Sequence, residues 1–353
     1  MAAHGARTAP RGTHLTALVF AAAAIAAAAS LLAIFPIRRH AALLGLLDAP
    51  NERSSHRVVT PRGGGLGIFL GTAAGALALW WTGAAHSAVW MLFASAAILA
   101  TIGFLDDRHN LSPGLRLFAQ ISAAALIVGG FGPISALPLP SPFNLPLSAP
   151  MFGWMFSILW LVAFTNFFNF MDGIDGLAGG QAIASGAGVI LAGWSGDATS
   201  LAAVMSGACL GFLFHNWPAA RVFMGDTGSG FLGFTIAALP FLAPFERNGD
   251  AAMAIAIGMA LFLLDPVFTL IRRARAGKNI FRAHREHLYQ QLVGPEEPAA
   301  RVTAAYTCTA VMLALVGAIG YRVPAVAWIG CVLALAAFLV VWRLAAGREN
   351  VGP

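Results

Sequence analysis

The chain has 353 residues, 58% of them hydrophobic and only 10% charged, with 21 Lys and Arg against 15 Asp and Glu for a net charge of +6. Soluble domains carry about 25% charged residues, so the composition excludes a soluble enzyme. Recurrent apolar runs without the alternation of a membrane barrel point instead to an all-α, polytopic helical bundle, in which the basic excess is a matter of topology and no nucleic-acid partner is expected.

Eleven candidate spans follow in chain order, near 15–37, 65–83, 86–105, 114–133, 151–169, 176–194, 198–215, 228–245, 250–271, 302–320 and 323–343. Each is close to the roughly 20 residues that a bilayer requires. The connecting segments alternate between two sides. With Arg116 and Arg343 assigned to the nearer span end, 17 Lys and Arg fall on the side of 38–64, 106–113, 170–175, 216–227, 272–301 and the C-terminal tail. Four fall on the other side: Arg7, Arg11, Arg247 and Arg322. The positive-inside rule places the richer side in the cytoplasm, the N-terminus outside and the C-terminus inside. Cleaving the first span as a signal peptide would send Arg38, Arg39, Arg53, Arg57 and Arg62 outside, against the same rule. No composition shift marks a second domain, so residues 1–353 read as one integral unit. Cys209, Cys308 and Cys331 lie in apolar runs without metal-ligand spacing and read as small buried hydrophobes.

The polar residues of the richer side carry the chemistry. In the first loop, Arg53, Arg57 and Arg62 suit phosphate, as Arg binds it with paired hydrogen bonds, although basic residues are expected there in any case. FLDDRHNLSP puts Asp106 and Asp107 at the end of the third span. Adjacent helical residues point about 100° apart, so the two face different partners; a solvated turn before Pro113 is the plainer alternative. The outer segment Pro133–Pro150 is proline-rich and reads as a connector without regular helix.

TNFFNFMDGIDGLAGG closes the fifth span. Asn166, Asn169, Asp172 and Asp175 recur every three residues, and form one polar stripe if the helix continues through them. Carboxylates are costly in lipid, whereas at a span end water, a metal or a polar ligand reaches them. HNWPAARVFMGDTGSGFLG then places Asp226 at the start of the eighth span, where Asp or Thr caps a helix and free N–H groups suit phosphate. The loop is neither a Walker sequence nor a dinucleotide fingerprint. Asn216, Trp217 and Phe223 offer hydrogen bonds and stacking to a base, or plain packing. Asp106, Asp107, Asp172, Asp175 and Asp226 thus come from three loops on one side. Together they repel one another, and a hard divalent cation, Mg²⁺ or Mn²⁺, is the natural partner of such oxygens and of substrate phosphates.

Asp265, followed by Pro266, sits inside the ninth span and is either functional or a hydrogen-bonding group at a kink. Beyond it, residues 279–292 suit an amphipathic surface helix in which His284 and His287, three apart, meet a diphosphate or serve as ordinary surface histidines.

At these residues the chain resembles the polyprenyl-phosphate N-acetylhexosamine-1-phosphate transferases, of glycosyltransferase family 4, whose superfamily includes the phospho-N-acetylmuramoyl-pentapeptide transferase of peptidoglycan synthesis. The matching strings are DAPNERSSHRVVTPRGGGLG (48–67), GFLDDRHNLSP (103–113), NFMDGIDGLAGG (169–180), HNWPAARVFMGDTGSGFLG (215–233) and HREHLYQQL (284–292). They occur in family order, so the resemblance is strongest over residues 48–292.

The resemblance implies that a lipid phosphate, usually undecaprenyl phosphate, attacks the β-phosphorus of a UDP-N-acetylaminosugar. UMP is then released, and the lipid diphosphate sugar that starts O-antigen or another surface polysaccharide is formed. It implies Mg²⁺ held by Asp226 with Asp172, catalytic roles for Asp106, Asp107, Asp172 and Asp175, and donor binding by Asn169, Asn216, Phe223, His284, His287 and Arg62. It implies a multi-pass protein of the bacterial inner membrane with its site on the cytoplasmic face, and a second copy of the chain is a candidate partner. Two departures favour the aminosugar branch over the pentapeptide enzyme: TPRGGG stands where that enzyme typically has Thr-Met-Gly-Gly, and the loop carries two histidines rather than three. A secondary transporter is the rival of another class, but it would be expected to place ionisable groups near mid-membrane in paired repeats.

Overall fold

The computed structural model describes residues 12–48, 59–280, 284–294 and 297–349. Arg7, Arg11, Arg53, Arg57, Arg282 and most of the 48–67 string before Val59 lie outside the described residues.

Helix α1 (Gly12–Arg39) is followed by the short α2 (Ala41–Leu44) and a two-residue antiparallel ladder of β1 (Leu47–Asp48) with β2 (Thr60–Pro61), Leu47 opposite Pro61. The remaining elements are α3 (Gly64–Trp81), α4 (Ser87–His109), α5 (Pro113–Phe131), α6 (Pro150–Phe170), α7 (Leu177–Ala192), α8 (Gly196–Asn216), α9 (Gly225–Ala238), α10 (Asn248–Gly258), α11 (Ala260–Arg275), α12 (Leu288–Leu292), α13 (Ala299–Arg322) and α14 (Pro324–Glu349). The starts follow local chemistry. Ser112 and Ser195 cap α5 and α8 through their hydroxyls, satisfying N–H groups that a helix leaves unpaired, and Pro113 occupies the first helical position, where its missing N–H costs nothing.

The fold is the expected all-α membrane bundle. Eight helices among the described residues are long and apolar enough to cross a bilayer. A ninth arises if Gly225–Leu242 and Phe245–Gly258, bent by 117°, count as one. Helix α7, with 16 residues, is shorter than a usual span, and the predicted 250–271 span breaks at Met259 between α10 and α11. Helix α9 passes into a tight 3-10 turn at Leu239–Leu242 that contains Pro240, a residue that cannot donate to a continuing helix.

Helices α7, α8 and α9 are buried on most sides, while α1, α5 and α14 turn Leu32, Phe118 and Val332 outward. Apolar residues on the outside are what a lipid solvent selects. Cys209 is buried as expected, but Cys308 is exposed. At one end of the bundle, His86 bonds Asp197 and Ser135 bonds Asn248. The opposite end gathers the C-terminal ends of α4, α6 and α8 with the N-terminal end of α9, and that end holds the acids.

Candidate active site

Helices α4 and α9 meet where neither leaves room for a side chain. A Cβ on Gly103 would lie 2.3 Å from the carbonyl oxygen of Asp226. Gly225, at φ +72°, supplies the left-handed residue that starts α9. Asp107, at the end of α4, then caps α9 from outside. Its Oδ1 accepts the Asp226 N–H at 2.9 Å, and its Oδ2 accepts the Thr227 N–H at 3.0 Å and the Thr227 hydroxyl at 2.8 Å. Neither Asp226 nor Thr227 caps its own helix.

Asp226 is therefore free to face the site. Its Oδ1 accepts from Asn169 Nδ2 at 2.7 Å, and the same amide donates to Ser229 Oγ at 2.8 Å. Arg116, on the first turn of α5, stands between two carboxylates, 2.9 Å from Asp106 Oδ2 and 3.7 Å from Asp226 Oδ2. The other Asp106 oxygen accepts the Leu111 N–H at 2.6 Å. Both members of the Asp106–Asp107 pair have hydrogen-bond donors on each oxygen.

The expected polar stripe does not form. Helix α6 ends at Phe170, and Asp172 and Asp175 lie in the turn before α7, which Gly176 opens at φ +78°. Asn166 turns away and exchanges hydrogen bonds with Gln120 on α5. Tertiary bonds shape the turn. Asp175 Oδ2 accepts the Ala220 N–H at 2.8 Å, and Asn216 bridges Gly176 N–H to the Val222 carbonyl, both at 2.8 Å. Asn216 is buried, its amide occupied within the protein. Phe223 pairs through its main chain with Pro61 and Gly64, tying this loop to the first one. Arg62 bonds Asp48 at 2.7 Å and is near enough for its charge to act on Asp107.

Asp172 is the uncompensated member. Among the described residues no hydrogen bond reaches its carboxylate, and burial, then the charges of Asp226, Asp107 and Asp175, hold its pKa well above the usual carboxylate range.

The histidine loop closes the site from α11. The expected helix over 279–292 is replaced by the five-residue α12, with 284–287 non-helical. His287 is buried, His284 half-buried, and their rings stack 4.9 Å apart. Burial, with the charges of His287 and Arg273, lowers the His284 pKa to about 4. Tyr289 Oη donates to the Phe170 carbonyl at 3.0 Å, which seats the loop against the end of α6. Arg273 pairs with Glu286, and Arg272 donates to the Glu286 carbonyl at 2.6 Å.

No group of three or more His, Cys, Asp or Glu among the described residues forms a ready metal cage. The donor set still fits Mg²⁺, which usually takes one or two carboxylates and completes its shell with water and substrate phosphates: among the described residues no hydrogen bond or cation engages the Asp172 carboxylate, and Asp226, which also shares a side-chain hydrogen bond with Asp106, has its one nearby cation, Arg116, at 3.7 Å.

Residues 89–243, which contain Asp106, Asp107, Asp172, Asp175 and Asp226, match the model of glycosyl transferase family 4. A "Probable undecaprenyl-phosphate N-acetylglucosaminyl 1-phosphate transferase" of Bacillus subtilis is 34% identical over 277 residues, 75% of this chain and 74% of that protein. The chain belongs to glycosyl transferase family 4. An "Undecaprenyl-phosphate alpha-N-acetylglucosaminyl 1-phosphate transferase" of Yersinia pestis is 31% identical over 88% of this chain and 89% of its own length. A "Decaprenyl-phosphate N-acetylglucosaminephosphotransferase" of Mycobacterium tuberculosis is 30% identical over 73% and 71%.

In this family 4 transferase, Arg116, Ser229 and Tyr289 also make contacts within the site that the sequence alone does not single out. Arg116 was counted only as a topological charge. Ser229 and Tyr289 lie inside the quoted strings without a role. The available signal for Arg116 was its place on the helix that follows the acid pair, beside the Ser112 cap.

Proposed function

We propose that this transferase moves an N-acetylaminosugar 1-phosphate from a UDP-sugar to a polyprenyl phosphate, undecaprenyl phosphate in bacteria, on the cytoplasmic face of the inner membrane. The observation that carries the reading is the convergence of Asp226 and Asp172, whose carboxylate no hydrogen bond reaches among the described residues, with the His284–His287 loop at one end of an apolar bundle. A lipid acceptor needs the bundle, and a nucleotide diphosphate donor needs the polar end. The names of the relatives make N-acetylglucosamine the first sugar to test, and the product would initiate a cell-surface polysaccharide such as O-antigen.

Asp226 and Asp172 are the residues that would hold Mg²⁺, which supplies charge neutralisation to the phosphates when bound. Asn169 and Arg116 orient Asp226. Asp107 keeps the α9 N-terminus in register rather than acting as a base, since donors occupy both its oxygens. A phosphate monoester, with a second pKa of about 6, is largely ionised at neutral pH and needs little deprotonation. His284, His287 and Arg62 line the approach of the donor diphosphate. An oxygen of the lipid phosphate bonds to the β-phosphorus, the bond from that phosphorus to the bridging oxygen breaks, and UMP leaves with the bridging oxygen.

Purified protein in detergent, given undecaprenyl phosphate, UDP-N-acetylglucosamine and Mg²⁺, is expected to release UMP only when the lipid is present. A folded protein that releases none from any UDP-N-acetylaminosugar would overturn the reading.

A further inference from the structure

We propose that Asp265 is a positioning residue that holds the histidine loop and selects which ring nitrogen of His287 faces the site. The inference rests on the preceding reading, that this loop receives the donor diphosphate.

Asp265 lies one turn into α11, 1% exposed, and its carboxylate is fully engaged. Oδ1 is 3.1 Å from His287 Nδ1, 3.0 Å from the Leu288 N–H and 3.1 Å from the Thr269 hydroxyl, and Oδ2 accepts the Tyr289 N–H at 3.0 Å. The two main-chain donors are the first N–H groups of α12, a helix of five residues. So short a helix cannot sustain itself; a carboxylate at its N-terminus satisfies the unpaired donors and favours the helix dipole. Asp107 does the same for α9. Twice among the described residues an aspartate from a neighbouring helix caps an element at the site.

The second consequence concerns the imidazole. The Asp265 oxygens already accept main-chain N–H groups, so the hydrogen shared with His287 belongs to Nδ1. Nε2 is then the nitrogen left for a ligand. A carboxylate that fixes the tautomer and direction of a working histidine is a recurrent device in metal sites and catalytic triads. Asparagine at 265 keeps the shape but replaces one acceptor oxygen with a donor. At least one N–H of the loop then loses its partner, and an amide donating to Nδ1 reverses the tautomer.

Two measurements test this. Hydrogen exchange needs no activity: in the wild-type protein the Leu288 and Tyr289 amides should be protected, and Asp265→Asn should speed exchange over 287–290 by about tenfold or more while Thr269→Val leaves it within about twofold. Unprotected wild-type amides, or unchanged exchange in Asp265→Asn, would overturn the anchor whatever the activity. UMP release then supplies a mutant cycle. Asp265→Asn should lower kcat/KM by about 10- to 100-fold, as second-layer partners of working histidines do, yet add less than about threefold to His287→Ala. Losses that multiply independently would reject positioning through His287. A wild-type protein that releases no UMP at all would defeat the functional reading, and the exchange result would still decide the anchor.

Discussion

Asp107 at the end of α4 accepts both the N–H and the hydroxyl of Thr227, 3.0 and 2.8 Å from one oxygen, and so joins the acid pair of one helix to the first turn of another. This relationship makes Asp107 a determinant of where Asp226 stands. Asp107→Asn leaves at least one donor unpaired, a loss of about 1–3 kcal/mol. Its unfolding midpoint in detergent should fall together with its UMP release, whereas Thr227→Val, which removes only the hydroxyl, should cost about 1 kcal/mol and retain more activity.

Arg116 neutralises Asp106 across a 2.9 Å bond. Arg116→Gln leaves the buried Asp106 charge without its partner and should destabilise the protein by about 3 kcal/mol. Adding Asp106→Asn should recover much of the stability but not the UMP release, because the orientation of Asp226 stays lost. Recovery of turnover in the double variant would remove Arg116 from the site.

Asp172 gives a pH signature. Its pKa in the fold is raised by burial, then by Asp226, Asp107 and Asp175. The folded state thus holds a proton that the unfolded state releases. Stability from this group is present below the usual carboxylate pKa and is lost as pH rises through the raised value. Without a divalent cation the thermal midpoint should therefore fall on the alkaline side, and Mg²⁺ should restore it more at high pH than at low. Asp172→Asn should flatten the pH dependence and abolish the Mg²⁺ effect while lowering activity. A wild-type midpoint indifferent to Mg²⁺ at every pH would contradict the assignment.

His284 carries the opposite sign. With its pKa lowered to about 4 by burial and by the charges of His287 and Arg273, the ring is neutral at pH 5.5. The stability of the neutral ring is complete above the usual histidine value of about 6.5 and is lost as pH falls toward the lowered one. A bound diphosphate raises that pKa, so UDP binding at pH 5.5 should take up protons. Titration calorimetry in buffers of different ionisation enthalpy should show the uptake in wild type and lose it in His284→Gln.

Most of the site was legible because acids in apolar sequence stand out: Asp106, Asp107, Asp172, Asp175 and Asp226 close or open hydrophobic runs, and the fold gathers them at one end. What local spacing missed was tertiary competition for the backbone. The three-residue repeat of Asn169, Asp172 and Asp175 suggested a helix, but the Asp175 bond to Ala220 and the left-handed Gly176 make a turn instead. The pattern over 279–292 suggested an amphipathic helix, but the buried Asp265 draws His287 inward. Hydropathy also did not register the breaks within the predicted 228–245 and 250–271 segments, where α9 gives way to the turn at Pro240 and where α10 and α11 part at Met259.

The proposed reaction transfers a sugar 1-phosphate, not a sugar. UDP-N-acetylglucosamine labelled with ³²P at the β-phosphorus, incubated with the purified protein, undecaprenyl phosphate and Mg²⁺, tests it most directly. Label is expected in the organic-soluble lipid, with unlabelled UMP in the aqueous phase. Label recovered as UDP, with unlabelled sugar on the lipid, would place the attack at the sugar carbon and contradict it.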